Sequence, residues 1–295
     1  MTDRSREDVL EAVLNVHQLH VSIVALPELC GRWFEQEPQT EKGLFHLIDR
    51  GSCCVRSPAL AAPVELQQGD LIVFPRGSAH TLCDSLNTVE HQDGERDGPG
   101  FSALICGEFE FASGTRNPII DALPQAFVVR AQEGGDTFRD LARVLSHSAR
   151  SGLLGQRVIM DKLADSLFVM AVCAYAQRAE DQQGLLAALA DARLAKALAA
   201  MHTEPGHDWT VDALAKVAGM SRTAFAVEFS RFLGATPFQY LTEWRIAEAR
   251  RLLRDRRLSV AAVAERLGYQ SEAAFRRTFK RIEGVGPGEV RRKAV

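Results

Sequence analysis

The last hundred residues carry one short pattern twice, and this repeat constrains the fold more than any other feature. One copy reads TVDALAKVAGMSRTAFAVEFSRFLGATP over 210–237, and the other reads SVAAVAERLGYQSEAAFRRTFKRIEGVGP over 259–287. Val211, Ala215 and Gly219 recur as Val260, Ala264 and Gly268 at an offset of 49. Phe225, Phe229 and Pro237 recur as Phe275, Phe279 and Pro287 at an offset of 50, so the second copy's turn is one residue longer. A pattern repeated at this spacing implies one supersecondary unit built twice.

Each copy has a local physical reading. Thr210 and Ser259 can cap a helix by accepting an orphan N–H. The helix then shows an apolar face: Val211, Leu214, Ala215 and Ala218 in one copy, Val260, Val263, Ala264 and Leu267 in the other. Gly219 and Gly268 end it, because the chain needs a positive φ there. Ser221 and Ser271 cap a second helix, whose paired phenylalanines stand four residues apart and bury one stripe. This is helix-turn-helix logic, with a bracing helix followed by one that can lie in a DNA major groove. The amphipathic segment 238–254 reads as one long helix that joins the copies and can space them about one DNA turn apart. Read alone, each unit could also be part of a plain helical bundle.

Charge agrees with the DNA reading. Asp191 to Val295 hold 19 Lys+Arg against 12 Asp+Glu, while the first 190 residues hold 16 against 26. A basic end on an acidic body suggests that only the C-terminal part meets a polyanion. The 46% hydrophobic and 25% charged composition excludes a mainly disordered chain. The longest apolar run, Ser166 to Ala176, is too short to cross a bilayer, and the charged N-terminus is no secretory signal. A cytoplasmic protein with six reduced cysteines is expected.

Before Arg130 the pattern is that of strands. His20–Ala25, Gly43–Ile48, Asp70–Phe74, Phe101–Phe111 and Ala126–Arg130 are short, rich in β-branched and aromatic residues, and separated by turn formers. Asn87–Pro99 reads as a surface loop. From Asp136 the period becomes helical: Phe138, Leu141, Val144 and Leu145 form one stripe, and Val158, Leu163, Leu167, Met170 and Val172 another, around a break at Ser151-Gly152. The charged stretch Arg178–Gly184 is the linker candidate.

The C-terminal segment, above all RLGYQSEAAFRRTFKRIEGVGPGEVR, resembles the DNA-binding domain of the AraC/XylS family of bacterial transcription regulators over about 190–295. The resemblance implies two helix-turn-helix units, 211–232 and 260–282, reading successive major grooves. The exposed early face of the second recognition helix then offers Glu272, Ala273, Arg276 and Arg277 to bases. Arg277 is the strongest candidate, since a guanidinium can bond guanine O6 and N7 together. The matching first-copy positions, Thr223, Ala226 and Val227, are short and mostly apolar, suited to a thymine methyl or to shape readout. Arg222, Arg231, Lys280 and Arg281 are the phosphate candidates.

The run GDLIVFPRGSAH, residues 69–80, resembles the second motif of the cupin barrel, and GLFHLIDRGSC, residues 43–53, the end of the first. A cupin-like barrel precedes the DNA-binding domain in many AraC-type regulators. Only His80 matches a metal-ligand position. His46 could face inward beside it, so the pair are weak metal candidates or a hydrogen-bonded interior, and no cofactor is expected. The barrel half also resembles the sensor domain of an AraC-type branch that responds to reactive chlorine. Cys30 and Cys106 fall near the cysteines of that branch and are the redox candidates, with small buried hydrophobes as the alternative.

The expected fold is therefore α+β. It comprises a cupin-like β-barrel (1–134), a helical connector (135–189) that either dimerises or covers the barrel, and an all-α double helix-turn-helix (190–295). The expected function is a non-enzymatic regulator that binds promoter double-stranded DNA, as a homodimer, with RNA polymerase as a further partner and an effector of unknown identity. The competing reading is a metal-dependent cupin enzyme with an accessory bundle.

Overall fold

The computed structural model describes residues 4–86, 101–111, 117–178 and 184–293. The expected loop Asn87–Pro99 and the body of the expected linker Arg178–Gly184 lie outside the described residues. Helix α1 (Arg4–His17) opens the chain, where only strand pattern had been expected. Nine strands follow: β1 (Leu19–Ala25), β2 (Glu28–Cys30), β3 (Phe34–Glu37), β4 (Gly43–Arg50), β5 (Ser52–Arg56), β6 (Val64–Gln67), β7 (Leu71–Phe74), β8 (His80–Cys83) and β9 (Phe101–Phe111). Then come α2 (Pro118–Ala122), β10 (Phe127–Val129), α3 (Gly135–Ala149), α4 (Gln156–Arg178), α5 (Leu185–Ala190) and α6 (Ala192–Thr203). The repeat supplies α7 (Val211–Ala218), α8 (Arg222–Leu233), α9 (Pro237–Leu252), α10 (Val260–Arg266), α11 (Glu272–Glu283) and α12 (Pro287–Lys293).

The described residues form two compact units. One holds the strands with α3 and α4; the other holds α1, α2 and α5–α12. This partition differs from the one drawn on sequence. Residues 4–18 and 117–122 belong with the helical unit, because α1 packs on α6 and α9, and α2 on α5. Val9 and Val13, four apart on α1, are fully buried, each burial being worth about 1.5–3 kcal/mol.

In the strand unit, one sheet runs β1-β9-β4-β7-β10 with β2 added to β9, and the second runs β3-β8-β5-β6. The pairings of β2 with β9, of β4 with β7 and β9, of β7 with β10, of β3 with β8, and of β5 with β6 and β8 are antiparallel. The inner faces share a core that includes Trp33, Leu44, Ile48, Leu66, Phe74, Leu82 and Leu104. Strand β4 is buried along almost its whole length, because its alternate residues face the second sheet while α3 packs against the strand. Helix α4 lies against β1, β10 and α3. Its Asp161 and Asp165 accept the backbone N–H groups of Ile23 and Val21, each at 2.9 Å, which occupies donors of an edge strand. The buried face of α4 is Met160, Ala164, Leu167, Phe168, Ala171, Val172 and Ala174. Val158, assigned to the stripe on sequence, is 65% exposed instead. Val144 on α3 is likewise exposed, whereas Phe138 and Leu145 are buried as expected.

The helical unit reproduces the repeat in detail. Thr210, Ser221, Ser259 and Ser271 each accept the N–H three residues on, from Ala213, Ala224, Ala262 and Ala274, at 3.0–3.3 Å. Gly219 and Gly268 hold φ of +65° and +76°, which a side chain would strain. Phe225–Phe229 and Phe275–Phe279 pack with ring centroids 5.4 and 5.5 Å apart. The connecting helix α9 opens on a capping box between Thr236 and Gln239. It is tied to the end of α11 by Arg250 to Glu283 at 2.5 Å, with the carboxylate side chain 1% exposed.

Candidate nucleic-acid interface and barrel interior

Because Phe225, Phe229, Phe275 and Phe279 fill the core, the remaining faces of α8 and α11 turn outward. On α8, Arg222, Thr223, Val227 and Arg231 are exposed and Ala226 is half-buried. On α11, Ala273, Arg276, Arg277, Lys280 and Arg281 are exposed and Glu272 is half-buried. The fold thus gathers each copy's candidates along one recognition helix. Their electrostatic states differ. Arg276 is held by Glu272 one turn earlier at 2.6 Å, a pairing that the i,i+4 spacing allowed. Arg231 pairs with Glu228 at 2.6 Å and stacks on Phe232 at 4.0 Å. Arg222 stands 3.6 Å from Asp212. Arg277 has no ion pair among the described residues, so its fork is available without breaking one.

The barrel interior holds a buried polar chain. His46 on β4 and His80 on β8 reach across from the two sheets and meet Nε2 to Nε2 at 2.7 Å. His80 Nδ1 lies 2.8 Å from the Ser78 carbonyl, and His46 Nδ1 lies 3.1 Å from Cys106 Sγ. A carbonyl only accepts, so His80 Nδ1 carries a proton and its Nε2 accepts. His46 Nε2 must then donate, which leaves His46 Nδ1 to accept from the Cys106 thiol. Burial, followed by the neighbouring His80, pushes the His46 pKa down to about 3. Burial also lowers that of His80 and raises that of Cys106 to about 12. The chain is therefore neutral, with Cys106 as a thiol. Phe74 stacks on His80 at 3.9 Å, a packing partner with no signal in the sequence beyond its place in the strand.

Cys30 and Cys106 are not brought together. Cys30 pairs with Phe101, and Cys106 lies five residues further along β9, about 17 Å away at roughly 3.4 Å per residue. That separation exceeds the span of a disulfide. Cys30 is exposed and Cys106 buried. The thiols that do face each other across a strand pair are Cys54 and Cys83. Among the described residues no group of three or more His, Cys, Asp or Glu side chains is placed to hold a metal ion.

The family described as cupin matches residues 8–177, and the helix-turn-helix domain family matches 214–293. A putative AraC-like transcription regulator of Streptomyces antibioticus is 32% identical over 97% of both chains. The chain belongs to the AraC-like transcription regulators. A second AraC-like relative, from Streptomyces lividans, is 31% identical over 97% of both chains. The RCS-specific HTH-type transcriptional activator RclR of Escherichia coli K12 is 27% identical over 84% of each. For this AraC-like regulator, the α+β class with an N-terminal cupin domain and a C-terminal helix-turn-helix domain is as the sequence implied. No described helix is long and apolar enough to cross a membrane.

Proposed function

We propose that this AraC-like regulator binds promoter DNA in the cytoplasm by laying α8 and α11 into successive major grooves. The observation that carries this reading is the equivalent exposed face on two capped helices, with Arg277 exposed and unpaired on the second. Arg277 reads a guanine; Glu272, Ala273 and Arg276 flank it. Thr223, Ala226 and Val227 supply apolar and shape contacts, while Arg222, Arg231, Lys280 and Arg281 meet phosphates. The test is anisotropy on a site selected from genomic fragments. Arg277→Ala should cost about 1–3 kcal/mol on that site and leave random DNA unaffected. Arg276→Ala should cost less, because Glu272 already competes for that guanidinium. Equal loss on random DNA would remove the base-reading role. Affinity should fall steeply with salt, as expected when several phosphates are neutralised.

The cupin unit serves as the effector-sensing part, and RNA polymerase is the partner through which occupancy acts on transcription. The name of the relative RclR directs attention to oxidants. Cys30, being exposed, and Cys106, on its histidine chain, would respond as separate thiols. Mobility shifts with and without hypochlorite test this. An unchanged response in a Cys30→Ser/Cys106→Ser double variant would refute it. A homodimer is supported by the exposed apolar side chains Leu153 and Leu154 just before α4 and Val158 and Ile159 in its first turn. Sedimentation of Leu154→Glu should show monomer if that face is used.

A further inference from the structure

The two helix-turn-helix units are joined by more than the length of α9. The loop 204–209, which leads from α6 into α7 of the first unit, lies backbone to backbone against the turn between α10 and α11 of the second. Gly206 and Gly268 allow this approach. A Cβ on Gly206 would stand 2.3 Å from the Arg266 carbonyl oxygen, and one on Gly268 would stand 2.4 Å from the Gly206 carbonyl oxygen. Both obstacles are main chain, so no side chain can swing aside to make room. Arg245, on α9, fastens the same junction. Its Nε donates to the Pro205 carbonyl at 2.6 Å and its Nη2 to the His207 carbonyl at 2.9 Å, so one rigid fork holds both ends of a three-residue stretch. Its guanidinium lies 6.0 Å from the Tyr269 ring centroid, at the limit of a cation–π attraction, and Tyr269 packs edge-on to Phe275 of α11 at 5.3 Å. The loop is stiffened from within: Trp209 Nε1 and the His207 N–H both donate to the Glu204 carbonyl, at 3.0 and 3.1 Å. It runs directly into Thr210, the cap of α7, and α7 packs on α8.

A continuous line of contacts thus runs from α11 through Tyr269, Arg245 and the loop to α7 and α8. We infer that this junction is a strut that fixes the spacing of the two recognition helices, with Arg245 as a positioning residue, and so selects DNA by the separation of its two half-sites. Moving one half-site by a base pair shifts it by about 3.4 Å along the DNA axis and roughly 35° around it. A strutted pair of helices cannot follow that move and gives up one unit's base contacts. A pair held by α9 alone can yield toward the new position. Arg245 itself reads no base, since its Nε and Nη2 are spent on the loop. The inference rests on the reading that α8 and α11 enter successive major grooves.

The test measures the full chain by fluorescence anisotropy on a site selected from genomic fragments, and on the same site with one base pair inserted or deleted between its two footprinted halves. The parent should lose at least about tenfold in affinity on either altered duplex, the worth of one bidentate base contact. Gly206→Ala forces the loop off the turn at a residue whose φ is not positive, and should cut that penalty at least about threefold. Arg245→Met should do the same by releasing the two loop carbonyls. Affinity for random DNA and the circular dichroism spectrum should match the parent's in both variants, which separates a loss of spacing from a loss of fold; if one variant does not fold, the other decides. A parent that tolerates the altered spacing would overturn the strut, and so would folded variants that keep the full penalty. Either result, in protein that still prefers the selected site to random DNA, leaves the base-reading proposal standing. A parent that prefers no sequence at all would overturn both.

Discussion

Lowering the pH from 7 to 5 should loosen the barrel by about 2 kcal/mol through His46 alone. Its pKa falls from the ordinary 6.5 to about 3 in the fold, driven first by burial and then by His80. Below pH 6.5 the unfolded chain takes up a proton here that the native barrel refuses, so stability falls as pH falls and levels off near pH 3. Each unit of separation is worth about 1.36 kcal/mol, and most of the interval between pH 6.5 and 5 is sampled, hence about 2 kcal/mol. His80 is lowered in the same sense, so the whole barrel loses more than this share. Hydrogen exchange of the Gly43–Arg50 amides, corrected for intrinsic rates, measures the opening directly. The parent's opening constant should rise about 25-fold more than that of His46→Gln between the two pH values. The same response in both proteins would refute a neutral buried imidazole at this position, and so would a barrel that tightens in acid.

Other perturbations follow from single contacts. Ser271→Ala removes the acceptor for the Ala274 N–H at 3.2 Å and should cost about 1 kcal/mol in denaturant titrations, with Ser271→Asp restoring most of it. Arg250→Ala strands the Glu283 carboxylate, whose side chain is 1% exposed, and should cost about 3–5 kcal/mol. The Arg250→Met/Glu283→Leu pair should recover most of that loss, since an apolar pair leaves no charge unmatched. Asp161→Ala orphans the Ile23 N–H, now bonded at 2.9 Å, and should cost about 1–3 kcal/mol. Exchange of the β1 amides reads that loss locally.

What could be read from the chain alone divides by the range of the forces involved. The four caps of the repeat and the two turn glycines depend on residues within three or four positions, so Thr210, Ser221, Ser259, Ser271, Gly219 and Gly268 stand where their types placed them. Helix α1 has a local signal too, the row Val9, Val13 and His17, but its membership of the helical unit rests on α6 and α9, which lie in the C-terminal part of the chain. The buried face of α4 was not legible because apolar residues lie around much of that helix. Its buried face mixes small and large side chains, from Ala164 and Ala171 to Leu167 and Phe168, while Val158 near its start faces outward. The same limit governs the sensor. The GDLIVFPRGSAH turn places His80 by local chemistry, and the inward side of β4 follows from alternation. That His46 bridges to His80 while Cys30 stays far from Cys106 is set by the register of β4, β2 and β9, which no local pattern encodes. A two-thiol switch inferred from cysteine positions alone therefore makes a claim about register. In this fold the register instead sets Cys106 beside the His46 imidazole and leaves Cys30 at the far end of β9.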